Sequence, residues 1–192
     1  MKKEWQPTWT VNLGPDCYAK LPLIQVNDSL SIYSYDSMGK TDWNKAAAAS
    51  LHKKLRSNSL ESDIIVTAEA KALGLAQELS GLFGHPEHVV LRKSVKVFMQ
   101  DLIHVDVKSI TSSNPQTLYL EEYKIATLKG KKILVLDDVT STLGTFEAVW
   151  ELMGLIGCQD IVAFAVVLTE GSRYTEFKGL PLISLDHIPL PL

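Results

Sequence analysis

Two adjacent carboxylates, Asp137 and Asp138, follow four apolar residues and precede a short tract rich in hydroxyl groups. The apolar residues at 133–136 predict a buried strand, and the periodicity of residues 146–153 predicts a helix after the tract. Backbone amides at a helix start bind phosphate, and carboxylates at a strand end suit a hydroxylated ligand or a metal ion. The stretch therefore predicts a site for a phosphorylated and hydroxylated ligand.

The tract after the carboxylates supplies the predicted phosphate contacts. Its hydroxyls and amides come from Thr140, Ser141, Thr142, Leu143, Gly144 and Thr145. A phosphate has several acceptor oxygens and about two negative charges, which such donors satisfy. A hydroxyl-rich turn that merely starts a helix is the alternative interpretation. The carboxylates taken alone fit a helix cap beside a surface carboxylate equally well.

Two further stretches carry positive charge at predicted strand ends. A short apolar strand at 64–67 leads into Glu69-Ala70-Lys71 and then a helix. The second stretch follows a strand at 89–91 and holds the cations Arg92, Lys93 and Lys96. Cations at these positions suit a polyanion such as pyrophosphate. A plain helix start and a solvated basic patch are the respective alternatives.

Alternating strands and helices position these groups. Apolar strands are predicted at 64–67, 89–91, 133–136 and 161–168, and helices at about 72–83 and 145–156. Continuously apolar strands form a parallel sheet covered on both faces, so the fold class is α/β with a central, mainly parallel sheet. Ligands bind such sheets at the carboxyl ends of the strands, where the carboxylates and cations lie.

The N-terminal part of the chain departs from this alternation. Residues 21–26 and 30–35 predict strands or edge elements. An alanine-rich helix follows at 46–55, and Thr41 or Asp42 is predicted to cap it.

The segment 97–117 also stands apart, since it predicts a hairpin or a long mobile excursion before a strand at 118–120. Long excursions in compact α/β domains are often lids. We therefore expect this segment to close over the site.

Bulk properties narrow the class of protein. A chain of 192 residues with 46% hydrophobic and 21% charged residues predicts a single globular domain over 1–192 with a real core. The net charge of −3 gives no overall attraction to nucleic acid. No apolar run is long enough to span a membrane, and Cys17 and Cys158 are too far apart in sequence for a metal motif. We expect a cytoplasmic protein with reduced thiols.

The order of these parts resembles the 5-phosphoribosyl-1-pyrophosphate (PRPP) motif of type I phosphoribosyltransferases. In adenine-type and xanthine-type members, two acidic residues precede a loop ending Thr-Gly-Gly/Asn-Thr. Here the loop ends Thr142-Leu143-Gly144-Thr145, so Leu143 replaces the first glycine. Glu69-Ala70-Lys71 is similar to the Glu-Ala-Arg of adenine-type members, and Arg92-Lys93 to an Arg-Lys pair of the family. The resemblance covers about residues 64–168.

This resemblance implies transfer of the 5-phosphoribosyl group from PRPP to a purine-type base, with release of pyrophosphate. The loop at 69–71 favours adenine, while xanthine, guanine and other purine-like bases stay open. The resemblance implies a core at about 60–170 and a small hood over the base from about 1–40 and 170–192. It also implies a homodimer that needs Mg²⁺.

The resemblance also implies roles for individual residues. Asp137, Asp138 and Lys93 are the expected catalytic residues. Mg²⁺ is expected to reach the two aspartates indirectly, through PRPP and water. The 5′-phosphate is assigned to 140–145. The pyrophosphate is assigned to Glu69, Ala70, Lys71, Arg92, Lys93 and Lys96.

Two other functions remain open at this point. A catalytically weak PRPP-binding or nucleotide-binding regulatory protein is the first, because Leu143 replaces a glycine and no residue matches the glutamate of the adenine-type mobile loop. The first sixty residues show no helix-turn-helix or basic stripe that such regulators use on nucleic acid. A receiver-type phosphoacceptor domain is the second, although its acidic pair follows the first strand and this pair comes late in the chain.

Overall fold

The computed structural model describes residues 5–28, 30–107 and 116–191. A six-stranded sheet forms its centre, in the order β10-β11-β9-β8-β4-β5. Its strands are β4 (Ile64–Ala68), β5 (Val89–Leu91), β8 (Ile133–Thr140), β9 (Ile161–Glu170), β10 (Glu176–Phe177) and β11 (Leu180–Ile188). All neighbours pair in parallel except β10 with β11. The predicted α/β class with a mainly parallel sheet is therefore confirmed.

Helices α1 (Thr41–Ser57), α2 (Leu73–Phe83) and α4 (Gly144–Leu155) connect these strands, and α3 (Ile125–Leu128) is a single turn after a 3₁₀ turn at Glu122–Lys124. Left-handed glycines end two of the helices, Gly84 after α2 and Gly157 after α4, as their sequence positions indicate. The cap predicted for α1 is wrong. Lys40 occupies the N-cap position without a side-chain hydrogen bond, and Thr41 and Asp42 lie inside the first turn.

Apolar side chains fill both faces of the central sheet. One core contains Val135, Phe146 and Phe164 and lies between the sheet and α4. The other contains Leu51, Leu79 and Leu136 and lies under α1, α2 and the N-terminal strands. Alternate residues of β8 enter opposite cores, so the strand must be apolar throughout. Each fully buried side chain of this size contributes about 1.5–3 kcal/mol.

A three-stranded antiparallel sheet precedes the central sheet and consists of β1 (Thr8–Gly14), β2 (Cys17–Asn27) and β3 (Leu30–Tyr33). The Trp9 indole donates to the His187 carbonyl, and the Asn12 amide donates to the Asp186 carboxylate at 2.8 Å. These bonds tie β1 to the end of β11. The division into core and hood stays a prediction, and residues 180–188 of its C-terminal part form β11 of the central sheet.

The segment predicted as a hairpin or excursion contains β6 (Leu102–Val107), which pairs antiparallel with β7 (Gln116–Glu121). Val105, Leu118 and Leu120 pack into the core beside α4, so the base of this hairpin is firmly held. Residues 108–115, with Lys108, lie outside the described part of the chain. The lid role therefore stays a prediction. Within the described ranges, no helix has the length and apolarity needed to cross a bilayer.

Candidate active site

A cavity of about 330 Å³ opens at the carboxyl ends of the central strands. The residues that follow β4, β5 and β8 line one side of it, and β3 with the ends of β9 and β11 lines the other. Eight of the residues selected from sequence line this cavity: Glu69, Ala70, Lys71, Lys93, Asp137, Asp138, Ser141 and Thr145. The parallel topology therefore brings three separated stretches of sequence to one place.

The acidic pair lies in the last part of β8. Asp138 is 8% exposed and Asp137 is somewhat more open, and both face the cavity. The two aspartates differ in their charged neighbours, since Asp137 lies near the charge of Lys93 and Asp138 near that of Lys71. Burial, reinforced by the charge of Asp138, raises the pKa of Asp137 to about 8. Burial also raises the pKa of Asp138. A nearby cation or hydroxyl donors would therefore stabilise the ionised form of the two carboxyls.

The loop between β8 and α4 has the geometry of an anion site. Leu143 takes the left-handed conformation, with φ 62° and ψ 9°, at the N-cap of α4. No side chain caps the helix, and within the described residues the backbone amides of 141–145 donate no internal hydrogen bond. The loop is held from outside by the Tyr174 hydroxyl, which donates to the Ser141 carbonyl at 2.9 Å. Free amides at a helix start bind phosphate.

Leu143 therefore occupies the conformation that favours glycine. Its side chain packs against the core beside α4, which offsets the unfavourable backbone conformation. The loop keeps its open amides although the usual glycine is absent. Ser141 and Thr145 face the cavity with hydroxyls, whereas Thr140, Thr142, Leu143 and Gly144 do not line it.

The stretch after β4 turns away from the sheet at Glu69, and the Glu69–Ala70 peptide bond is cis. The Glu69 carboxylate pairs with the Arg92 guanidinium and accepts the Lys93 amide at 2.9 Å. Burial opposes its ionisation, but the hydrogen bonds from Arg92 and Lys93 bring the pKa of Glu69 below its usual range. Glu69 thus joins the end of β4 to the end of β5, and its charge is already paired.

The cations fall into two groups. Lys71 and Lys93 line the cavity together with the acidic pair, and the Lys71 ammonium donates to the Tyr35 carbonyl at 3.2 Å. Arg92 lies behind Glu69 and does not line the cavity. Lys96 also lies outside the lining, where its ammonium donates to the Ser94 hydroxyl at 2.7 Å.

The remaining wall of the cavity was not predicted from the sequence. It consists of Ile32, Tyr33, Ser34, Tyr35, Val139, Glu170 and Ile188. Burial raises the pKa of the Glu170 carboxyl, which has no ion-pair partner among the described residues. An acidic residue directly after a long apolar strand was the available signal for Glu170. The β3 residues carried no signal, because only tertiary folding brings them over β8.

The donor set fits Mg²⁺ that is shared with a substrate. Within the described ranges, no three histidine, cysteine, aspartate or glutamate side chains cluster as a metal site. The pair at 137–138 supplies at most two carboxylates, which is typical of Mg²⁺ that keeps waters and binds substrate phosphates. Burial raises the pKa of both carboxyls and so disfavours their ionised forms, which a cation bound beside them would stabilise.

Comparison with known proteins agrees with this geometry. The family model described as "Phosphoribosyl transferase domain" matches residues 34–187. The chain belongs to the phosphoribosyltransferase family. The predicted family is therefore confirmed.

Individual relatives extend the comparison. A protein of Methanobacterium lacus named hypoxanthine/guanine phosphoribosyltransferase is 31% identical over 134 residues, 66% of each chain. A protein of the same name from Methanosphaerula palustris is 31% identical over 127 residues, 65% of each chain. The matched part of the chain thus spans slightly less than two thirds of these relatives. The adenine phosphoribosyltransferase structure of Thermoanaerobacter pseudethanolicus has a TM-score of 0.64 at 16% identity and covers 87% of this chain and 95% of that one.

Proposed function

We propose that the protein transfers the 5-phosphoribosyl group of PRPP to a 6-oxopurine, hypoxanthine or guanine, and releases pyrophosphate. The observation that carries the proposal is the cavity itself, where the open amides of 141–145 stand beside the acidic pair and two lysines. A phosphate cradle, paired carboxylates and a second cationic site in one cavity fit the transfer of a phosphoribosyl group from PRPP.

The phosphate cradle anchors one end of PRPP. The amides of 141–145 and the hydroxyls of Ser141 and Thr145 donate to the 5′-phosphate, and the start of α4 adds its positive dipole end. Binding at this point fixes the ribose over the acidic pair. Such positioning supplies much of the rate acceleration.

The acidic pair acts on the ribose. Its carboxylates accept hydrogen bonds from the ribose hydroxyls and stabilise the positive charge that develops on the sugar as the bond to pyrophosphate breaks. Asp137 and Asp138 must be ionised to do so, and their pKa values are raised in the free protein. Substrate binding is therefore coupled to loss of a proton.

The pyrophosphate leaves towards the lysines. Lys71 and Lys93 face the cavity and offset the charge of the leaving group, and the exposed loop at 69–71 brings its backbone close to the same place. When bound, Mg²⁺ supplies further neutralisation of the pyrophosphate. Arg92 and Glu69 contribute by holding the two loops together.

The choice of base is supported by the curated relatives, whose name specifies hypoxanthine and guanine. The wall of Ile32 and Ile188 suits a flat base, and the Glu170 carboxylate between them and the phosphate loop accepts N–H groups of the kind that guanine offers. Adenine is the second candidate, supported by the resemblance of the loop at 69–71 to adenine-type members. The predicted preference for adenine stays untested.

The test is pyrophosphate release with Mg²⁺, PRPP and a panel of hypoxanthine, guanine, xanthine and adenine. We expect the fastest release with hypoxanthine or guanine. The double variant Asp137→Asn, Asp138→Asn should lose product formation while remaining folded. Asp160→Asn is the matched control, since this exposed carboxylate lies at the opposite end of β9. Undiminished turnover in the double variant would remove the assigned role.

A PRPP-binding regulator with weak catalysis remains the alternative, because no residue matches the mobile-loop glutamate. Tight PRPP binding without release for any base would favour it. The homodimer is a proposal that rests on the family resemblance, and the cytoplasmic location is one that rests on the bulk properties of the sequence. Sedimentation of the purified protein tests the first of them.

A further inference from the structure

Tyr35 has a buried hydroxyl without a hydrogen-bond partner among the described residues. The residue is 3% exposed, and it lines the cavity. Buried phenol groups nearly always find a partner. A ligand oxygen that reaches this hydroxyl would supply the hydrogen bond that it lacks.

The surroundings hold the Tyr35 ring in place. It stacks on Trp43 with ring centroids 5.8 Å apart, and its carbonyl accepts the Lys71 ammonium. The Ser37 hydroxyl lies near enough to the phenol to oppose the rise of its pKa, and it donates to the Lys71 carbonyl at 3.2 Å. Asn44 in turn donates to the Ser37 carbonyl at 3.0 Å. The position of the hydroxyl is thus set before a ligand arrives.

Tyr33 provides an internal comparison on the same strand segment. Its ring is equally buried, but its hydroxyl donates to the Gln6 carbonyl at 3.0 Å. The Tyr33 hydroxyl therefore stabilises the fold through a hydrogen bond, whereas the Tyr35 hydroxyl does not.

The charged groups around Tyr35 indicate what it binds. Burial, together with the nearby Asp138 charge, raises the pKa of the phenol, so it keeps its proton and acts as a donor. The Lys71 ammonium contacts the main-chain carbonyl of Tyr35, and Lys71 also lies near Asp138. A protonated donor on a residue that contacts a lysine of the pyrophosphate loop suits an anionic oxygen. The base wall, formed by Ile32, Glu170 and Ile188, has different chemistry.

We propose that the Tyr35 hydroxyl donates a hydrogen bond to a pyrophosphate oxygen of PRPP, beside Lys71. This inference rests on the proposed function, because it assumes that PRPP occupies the cavity. It adds a contact to the leaving group from the segment that follows β3, besides those from Lys71 and Lys93.

The test compares Tyr35→Phe with the wild type by calorimetric titration of Mg²⁺-PRPP and by the KM for PRPP and for the base. Loss of a hydrogen bond to a charged group should weaken PRPP binding by about 10- to 100-fold. The KM for the base should stay within about twofold of the wild type. The thermal midpoint should stay equal or rise, because no protein hydrogen bond is lost.

Two control variants make the result specific. Tyr33→Phe should lower the thermal midpoint, since it removes the bond to Gln6. Tyr123→Phe changes a side chain that is 69% exposed and lies outside the cavity lining, so it should alter neither readout.

The inference is overturned if Tyr35→Phe binds PRPP within about twofold of the wild type, or if it loses as much thermal stability as Tyr33→Phe. If Tyr35→Phe raised only the KM for the base, the hydroxyl would belong to the base subsite, and the inference would again be overturned. A wild-type protein that does not bind PRPP at all would refute the proposed function and this inference with it.

Discussion

Replacing Glu69 by glutamine tests whether this carboxylate fastens the two loops of the site. Glu69 is 15% exposed, pairs with Arg92 and accepts the Lys93 amide. Glutamine keeps the shape and one acceptor but removes the charge. The end of β4 would then lose its firm link to the end of β5.

The size of the effect follows from the kind of bond. Hydrogen bonds to charged groups contribute about 1.5–3 kcal/mol, and a neutral replacement retains part of this, so we expect a loss of about 1–2 kcal/mol. For a domain of this length, each kcal/mol shifts the thermal midpoint by about 2–4 °C. Glu69→Gln should therefore lower the midpoint by about 2–8 °C in thermal denaturation at pH 7.

The surface pair of Arg56 and Glu61 is the matched control. Its side chains are 55% and 65% exposed, so solvent screens the interaction and Glu61→Gln should shift the midpoint by at most about 1–2 °C. Equal shifts for the two variants would refute the reasoning.

At acid pH, the difference in thermal midpoint between Glu69→Gln and the wild type should disappear. The folded pKa of Glu69 lies below its ordinary value of 4.5, so its contribution is present above that pH and is lost as the pH falls through the folded value. A deficit that persists undiminished at pH 3 would assign the loss to packing instead.

A double-mutant cycle separates the two possible roles of Arg92. If Arg92 acts through Glu69, the variants Arg92→Met and Glu69→Gln should raise the KM for pyrophosphate alike, and the double variant should be no worse than either. If Arg92 binds pyrophosphate itself, Arg92→Met should be much the more harmful change.

Three further predictions follow from the same site. Because the pKa of Asp137 is raised to about 8, the wild type loses stability as the pH rises from about 4 to about 8. Asp137→Asn should therefore raise the thermal midpoint more at pH 8.5 than at pH 5. An equal rise of the midpoint at both pH values would contradict this. Leu143→Val should lower the free energy of unfolding in urea by about 1 kcal/mol or more, because a β-branched residue resists the left-handed conformation. Leu143→Gly should leave the phosphate affinity measured by titration within about twofold. An unchanged free energy of unfolding for Leu143→Val would contradict the argument. Glu170→Gln should lower the ratio of kcat/KM for guanine over hypoxanthine by about tenfold, since the carboxylate accepts from the extra amino group; an unchanged ratio would place Glu170 away from the base.

Much of the fold and of the phosphate site followed from local sequence. The apolar run of β8 must be buried on both sides, and the residues after it must lie at the sheet edge where ligands bind. How the strands at 102–107 and 116–121 pair was less predictable from the sequence. The strand predicted at 118–120 pairs with β6 outside the central sheet, because its apolar residues pack beside α4.

The unforeseen features depend on tertiary packing. Leucine resists a positive φ, and its replacement of a glycine was one reason to keep a catalytically weak protein open, yet core contacts hold Leu143 in the left-handed conformation. Arg92 and Glu69 were both assigned to pyrophosphate because sequence shows charges but not pairs. Tyr35 was overlooked because nothing in its own segment indicates that it is buried beside the cavity, near Asp138.

A structure with PRPP and Mg²⁺ tests the central claim most directly. The 5′-phosphate should lie within hydrogen-bond distance of the amides of residues 141–145, with the ribose hydroxyls on Asp137 and Asp138. A phosphate bound elsewhere, with those amides left open, would contradict the account.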